Sequence, residues 1–396
     1  MTQAFPEIVV AGAARTAIGS FGGALRDQPP CDLATLVVKE AIARAQLSPA
    51  QVGQIVLGNV LHTEPRDMYV SRVAGLQAGM DQASTALTVN RLCGSGLQAL
   101  VSAANAISLG DCEIAIGGGV ESMSRSLFAV PAARWGARMG DSQLIDMMTG
   151  ALNDPFGAGP MGITAENVAG QYEISREEQD AFALESQRRA TAAIAAGHFR
   201  TQIVPVQITT RKGTLTFDTD EYPKADANLQ ALAGLRPAFR KDGSVTAGNS
   251  SGINDGAAAC VLMSAAAAQR QGIKPLARML GYAVSGVDPA VMGTGPIPAV
   301  RRVLERTGLA LEAFDVIESN EAFAAQALGV CRGLGLDPAR TNPNGGAIAL
   351  GHPLGASGTI LAIKCIYELQ RIQGRYGLVT MCIGGGQGIA VVFERL

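Results

Sequence analysis

Four residues stand in glycine-rich turns and carry side chains able to do chemistry. Cys93 lies in Asn90-Arg91-Leu92-Cys93-Gly94-Ser95-Gly96, and Cys382 just before Gly384-Gly385-Gly386. His352 follows Asn344-Gly345-Gly346 in a segment of small residues, and Asn320 opens Asn320-Glu321-Ala322-Phe323-Ala324. Each has an ordinary reading: a small buried cysteine, a turn histidine, a helix N-cap asparagine. Taken together they make a reactive set. A cysteine nucleophile needs a base within hydrogen-bond reach and donors for the developing oxyanion. Cys93, His352 and the glycine N–H groups supply those types, and Cys382 adds a second thiol able to act as acid or base. Two cysteines and one histidine suit acyl transfer through a thioester.

The elements around these residues follow from local patterning. A β-type run over 87–89 leads into the Cys93 turn. Leu97, Leu100, Val101, Ala104 and Ile107 recur at helical spacing after it, and Gly110 stops the run. Cys93 is thus expected at a helix N-terminus, where a thiolate is favoured and the thiol pKa falls into the range ~3.5–7.5. Gly94-Ser95-Gly96-Leu97-Gln98-Ala99 also fits a dinucleotide fingerprint. That fingerprint wants an acidic residue at the far end of the next strand; Glu113 comes at its beginning, so a nicotinamide dehydrogenase is set aside.

The chain repeats itself at long range. Ser95-Gly96, an apolar helix, a strand (113–116) and Gly117-Gly118-Gly119 recur as Ser357-Gly358, a helix (360–369), a strand (378–381) and Gly384-Gly385-Gly386. A duplicated α/β half is the simplest reading. Further strands are expected over 7–11 and 54–58 and helices over 33–45 and 70–78. After Glu121 the composition changes. A Met-, Arg- and Trp135-bearing stretch leads to the capping box Ser175-Arg176-Glu177-Glu178, which opens a helix running to Gly197. Basic residues and short strands follow (Arg211, Lys212, 214–217, Lys224, Arg236), and regular alternation resumes over 258–263. Residues 121–251 therefore read as an insertion, with 1–120 plus 252–274 as one half and 275–396 as the other.

With 396 residues the chain has ample core. Its net charge of -2 gives no electrostatic reason to expect nucleic acid or anionic membrane as a partner. No apolar run is seen to approach the ~18 residues of a membrane span. Seven cysteines with no C-x-x-C pair, and three histidines, argue against a zinc site or disulfide framework. No targeting segment is recognised at the start, and a reducing, cytoplasmic setting is expected.

In order along the chain, Asn90 to Gly96, Gly117-Gly118-Gly119-Val120-Glu121-Ser122-Met123-Ser124, Asn320 to Ala324, Asn344-Gly345-Gly346, Gly351-His352-Pro353 and Cys382 to Gly386 closely resemble the thiolases over essentially the whole length. The resemblance implies two duplicated βαβαβαββ halves in five layers, α-β-α-β-α, with a loop domain inserted in the first. It implies reversible condensation of acetyl-CoA with acetyl-CoA or a short acyl-CoA, with no cofactor and no metal. Cys93 would carry the acyl group and His352 activate it. Cys382 would move the α-carbon proton. Asn320 would hold a water that forms one oxyanion hole with His352; the N–H groups of Cys93 and Gly384 would form the other. The inserted domain would bind CoA, with Ser251 on the pantetheine arm, Lys224 near the nucleotide phosphates, and Leu152 and Met161 along the tunnel. Ala247, Phe239 and Phe323 complete the expected CoA set, and a homotetramer is expected.

Residues 63–69 and 132–141 look like the bacterial β-ketothiolase branch of broader chain length, which makes 3-ketoacyl-CoA precursors for polyhydroxyalkanoates. Members of that branch often have His-Met-Gly where this chain has Pro160-Met161-Gly162, so a substrate contact at 160 is lost. The competing readings are a condensing enzyme using acyl carrier protein, which Cys382 and the insertion oppose, and a non-catalytic CoA- or lipid-binding member, which the complete reactive set opposes.

Overall fold

The structure, a computed structural model, describes residues 6–211 and 213–396. Lys212, among the basic residues noted above, lies outside them, as do the first five residues. The first half runs β1 (Ile8–Arg15), α1 (Pro30–Arg44), β2 (Gln54–Gly58), α2 (Val70–Gln77), β3 (Thr85–Val89), α3 (Ser95–Leu109), β4 (Ile114–Ser122) and, after the insertion, β5 (Asn254–Ser264). The insertion includes α4 (Met161–Gln171) and α5 (Arg176–Ala195). The second half runs β6 (Ala277–Gly286), α6 (Pro296–Thr307), β7 (Val316–Ser319), α7 (Ala324–Leu334), α8 (Leu354–Ile372), β8 (Tyr376–Ile383) and β9 (Gln387–Arg395).

The duplication is visible in the strand order. The first half reads β1-β5-β4-β2-β3 and the second β6-β9-β8-β7, extended by a parallel bridge from Ile317 to Thr341 where a fifth strand, the counterpart of β3, would lie. Strand senses agree: β2 is parallel to β3 and β4, β7 to β8, and the first two pairings of each half, β1-β5-β4 and β6-β9-β8, are antiparallel. The halves join where β1 pairs with β6 at Ile8–Met279, Val9–Arg278 and Val10–Ala277. Helices α1 and α6 cover outer faces. Helices α3 and α8 lie between the two halves of the sheet, each touching the other and strands of both halves. Their burial follows: every residue of α8 from Leu354 to Ile366 is buried.

Leu92–Leu109 reaches a mean hydropathy of 1.3 over 18 residues, so one stretch does meet the length and composition of a membrane span, against the sequence expectation. It is this middle-layer helix, apolar because protein packs on it from several sides.

The two glycine triplets play different roles, which corrects their reading as equivalent strand ends. Gly117, Gly118 and Gly119 lie inside β4. A Cβ there would come within 2.8 Å of Leu100 Cα, 2.5 Å of the Ala258 carbonyl and 2.0 Å of the Gly355 carbonyl, so β4 is bare to let two helices and a strand approach. Gly384, Gly385 and Gly386 instead turn the β8–β9 hairpin, the latter two at φ 81° and 82°, where side chains are strained.

Between Ser122 and Asn254 no strand joins the large sheet among the described residues. The capping box forms as expected: the Glu178 N–H donates to Ser175 Oγ, and the Ser175 N–H to the Glu178 carboxylate. The insertion is tied to the core by the buried Arg15–Asp220 pair, two bonds of 2.7 and 2.9 Å, with Ile18 N–H on the same carboxylate.

Candidate active site

Strand β3 delivers the chain into a tight loop before α3. Leu92 adopts φ 45°, and the Asn90 side chain accepts its N–H at 2.9 Å. Ser95 buckles the loop: its Oγ accepts from Arg91 N–H and donates to the Leu92 carbonyl. Arg91 reaches across to Gln387 of the β8–β9 hairpin at 3.2 Å. Cys93 is thereby presented beside that hairpin, where its own N–H and that of Gly384 both point at its sulfur. Burial nevertheless pushes the Cys93 thiol up to about 11, with the Glu121 carboxylate adding to the rise and the two N–H groups opposing it. The expected thiolate is therefore corrected to a thiol. Desolvation of a full charge outweighs the end of a helix dipole.

His352 comes from the equivalent place in the second half, ahead of α8. Gly351 takes φ 107° so that the chain can wrap the Asn254 amide, whose Oδ1 accepts the His352 N–H at 2.9 Å. Imidazole Nδ1 lies 2.6 Å from Ser357 Oγ. That hydroxyl spends its one proton on the Pro353 carbonyl, 2.8 Å away, so it accepts from Nδ1–H. Nε2 thus keeps its lone pair, with the Asn320 amide nitrogen 3.4 Å from it. Burial lowers the His352 pKa to about 4, which keeps the ring neutral. Ser357 is the repeat counterpart of Ser95, and both brace the loop that precedes their helix.

The two helix starts meet backbone to backbone. Thr359 Oγ1 donates to the Gly96 carbonyl at 3.1 Å, and a Cβ on Gly358 would sit 2.4 Å from Leu97 N. Glu121 locks this junction by accepting from Val60, Leu61 and Gly355 N–H and the Asn59 amide, and burial holds its carboxyl up at about 8. Cys382, fully buried near the end of β8, has its thiol pKa raised by burial and further by the charge of Cys93. Asn320 follows β7, with Oδ1 buried and free of a protein partner.

The expected CoA residues fall around this centre. Leu152 joins Leu61, Met123, Leu354 and Met148 in the apolar cluster packed on Cys93. Met161, at the start of α4, packs with Met292, Ala322, Phe323 and Cys382. Phe239 meets Phe323 edge-on at 6.2 Å. Ser251 N–H donates to the Ala322 carbonyl, placing that serine beside the Asn320 segment. Ala247 is exposed one turn away. Lys224 has its N–H held by Gln187 and its ammonium 5.9 Å over the Tyr222 ring, and Tyr222 abuts Gly252. Pro160 is exposed just before α4. Residues the sequence reading missed are Ser357, Asn254, Glu121 and Gln387. Ser357, five residues after His352 at a helix start, and Glu121, inside the glycine-rich motif that ends at Ser124, had a local signal.

The sequence profile of the thiolase N-terminal domain matches residues 8–266, and that of the thiolase C-terminal domain residues 273–395. The chain belongs to the thiolase family. This thiolase is 61% identical to the β-ketothiolase BktB of Cupriavidus necator over 98% of its own length and 99% of the relative's. It is 51% identical to an acetyl-CoA acetyltransferase of Pseudomonas aeruginosa, again over 98% and 99%. The crystal structure of human mitochondrial 3-ketoacyl-CoA thiolase in complex with CoA superposes with a TM-score of 0.95 at 43% identity, covering 99% of this thiolase and 98% of that chain. The five-layered thiolase fold is thereby shown.

Proposed function

We propose that this thiolase is a β-ketothiolase that condenses an acyl-CoA with acetyl-CoA, and runs in reverse as a thiolysis, through an acyl group on Cys93. The carrying observation is the protonation pattern: a thiol at Cys93, a neutral His352 with Nε2 free, and a second thiol at Cys382. His352 Nε2 takes the Cys93 proton, and the sulfur adds to the acyl-CoA thioester carbon. The oxyanion is held by the N–H groups of Cys93 and Gly384. Collapse breaks the bond to CoA, which leaves with the Cys382 proton. The acyl enzyme then carries a Cys382 thiolate and an imidazolium whose Nε2–H is a donor.

Acetyl-CoA enters next. Cys382 takes its α-proton, and the enolate oxygen sits against His352 Nε2–H and a water held by Asn320. The unpartnered Asn320 Oδ1 supports that water. The carbanion attacks the acyl carbon, and Cys93 leaves and regains its proton from His352. The products are a 3-ketoacyl-CoA and CoA, with every group restored.

CoA lies along the insertion: pantetheine between Leu152, Met161, Phe239 and Phe323 and past Ser251 and Ala247, with the nucleotide end near Lys224. The division into two halves and an insertion is supported by the ends of the flanking strands, β4 at Ser122 and β5 at Asn254. A homotetramer is supported by exposed Leu87 on edge strand β3 and by exposed Phe128, Trp135, Met139 and Leu144 in the insertion. Seven unpaired cysteines fit a reducing cytoplasm, and the product suits polyhydroxyalkanoate supply. Thiolysis of acetoacetyl-CoA, 3-ketovaleryl-CoA and a longer 3-ketoacyl-CoA tests the reading. Turnover of the first two is expected; turnover of carrier-protein thioesters alone would overturn it.

A further inference from the structure

Behind the reactive centre lies a buried ion pair that the mechanism above does not use. Lys364 is 2% exposed and Glu318 0%, and Lys364 Nζ lies 2.7 Å from Glu318 Oε2. A second ammonium bond, 2.6 Å, goes to the Gly345 carbonyl. The placement is informative. Glu318 is on β7, two residues before Asn320. Gly345 closes the turn from Asn342, and the next residue backs Glu321, since a Cβ on Gly346 would sit 2.1 Å from the Glu321 carboxyl carbon. Lys364 therefore grips both segments that flank Asn320.

Lys364 is also seven residues after Ser357 on α8, so the two side chains share one face of the helix. Ser357 holds His352; Lys364 holds the strand that bears Asn320. A narrow pocket is bordered by Asn320, Ser357, Lys364, Ile18, Ile360 and Leu361. The Asn320 backbone is fixed by its N–H on the Thr380 carbonyl and by Asn342 on both backbone groups of Ser319, and the ion pair adds the side-chain anchor on the helix that carries Ser357. Glu318 Oε1 and Ser319 Oγ, on the same strand, have no other partner. Burial raises the Glu318 carboxyl to about 7 and the Lys364 charge pulls it back, as expected of a carboxylate held by this one ammonium.

We propose that Lys364, paired with Glu318, is a positioning residue that sets Asn320 against His352 and so shapes the oxyanion site for the enolate. This rests on the β-ketothiolase reading. The Cys93–Gly384 oxyanion site, on other elements, does not depend on it. Loosening the pair should leave His352 on Ser357 and displace Asn320, impairing condensation and sparing acyl transfer. A displacement of an ångström is worth up to ~10²-fold in rate.

The test uses Lys364→Met/Glu318→Leu, which removes both charges together, and Glu318→Gln, which keeps the ammonium. Each is measured in two assays on the full enzyme: acetyl uptake on Cys93 from acetyl-CoA, and formation of acetoacetyl-CoA by the acetyl enzyme. The expected result for either folded variant is acetyl uptake within twofold of wild type, condensation down roughly 10- to 10²-fold, and an unchanged KM for acetyl-CoA. Equal falls in both assays, as lost folded protein would give, or no fall in either, would overturn the assignment, as would failure of both variants to fold. A wild-type enzyme inactive in both assays would instead remove the β-ketothiolase reading itself.

Discussion

Replacing Ser357 by alanine removes one oxygen and should change which nitrogen of His352 carries the proton. In the native site Ser357 Oγ accepts Nδ1–H at 2.6 Å, and both residues are buried, 4% and 5% exposed. Without that acceptor the donor is stranded away from water, which costs about 1–3 kcal/mol. Moving the proton to Nε2 relieves the strain, because Asn320 Oδ1 nearby lacks a partner. At about 1.36 kcal/mol per tenfold, the fraction of enzyme with a free Nε2 lone pair falls roughly 5- to 150-fold. Acetylation of Cys93 should slow by that factor. KM for acetyl-CoA should hold, since Ser357 lies in neither apolar cluster around the two cysteines. Single-turnover acetylation followed by intact mass measures the rate, and Ser357→Thr, which keeps the hydroxyl, should restore most of it. Acetylation by Ser357→Ala within twofold of wild type would refute the tautomer argument.

Other consequences are as direct. With its thiol near 11, Cys93 should be about 10⁻⁴ thiolate at pH 7, so the wild type minus Cys93→Ser ultraviolet difference spectrum at neutral pH should show no thiolate absorbance. The sign for His352 is opposite: acetylation should be flat with pH from neutrality down and fall only as pH nears 4, where the ring protonates and loses its lone pair. Lys224→Ala should raise KM for CoA thioesters, more at low salt, and leave kcat nearly intact, as steady-state kinetics at two ionic strengths will show. Asp220→Asn strands the fully buried Arg15 guanidinium, and loss of one partner of such a pair costs about 3–5 kcal/mol. Thermal unfolding should begin at a clearly lower temperature than in wild type.

Much of the site was legible because its signals are local. A glycine-flanked cysteine before an apolar helix, a histidine in a Gly-His-Pro turn and an asparagine after a strand each announce themselves within ten residues. The duplication was legible too, and strand order supports it. The glycine triplets misled because a glycine run has two causes. In β4 it serves the approach of Leu100, Ala258 and Gly355, contacts hundreds of residues apart in part; in the β8–β9 hairpin it serves backbone angles. The charge state of Cys93 was misread for a similar reason. A helix N-terminus is visible in the sequence, but the depth at which the fold buries the sulfur is not. Glu121, Asn254 and the Lys364–Glu318 pair act across separations of 46 to 234 residues, and no short window contains both ends.

The central claim is that Cys93 carries the acyl group while Cys382 moves the proton. Peptide mapping by mass spectrometry after mixing with acetyl-CoA tests it directly, in wild type and in Cys382→Ser. The account predicts an acetyl group on the Cys93 peptide in both proteins, with acetoacetyl-CoA formation by the variant down ~10²–10⁴-fold. Acetyl found on Cys382 in the wild type, or absent from Cys93, would contradict it.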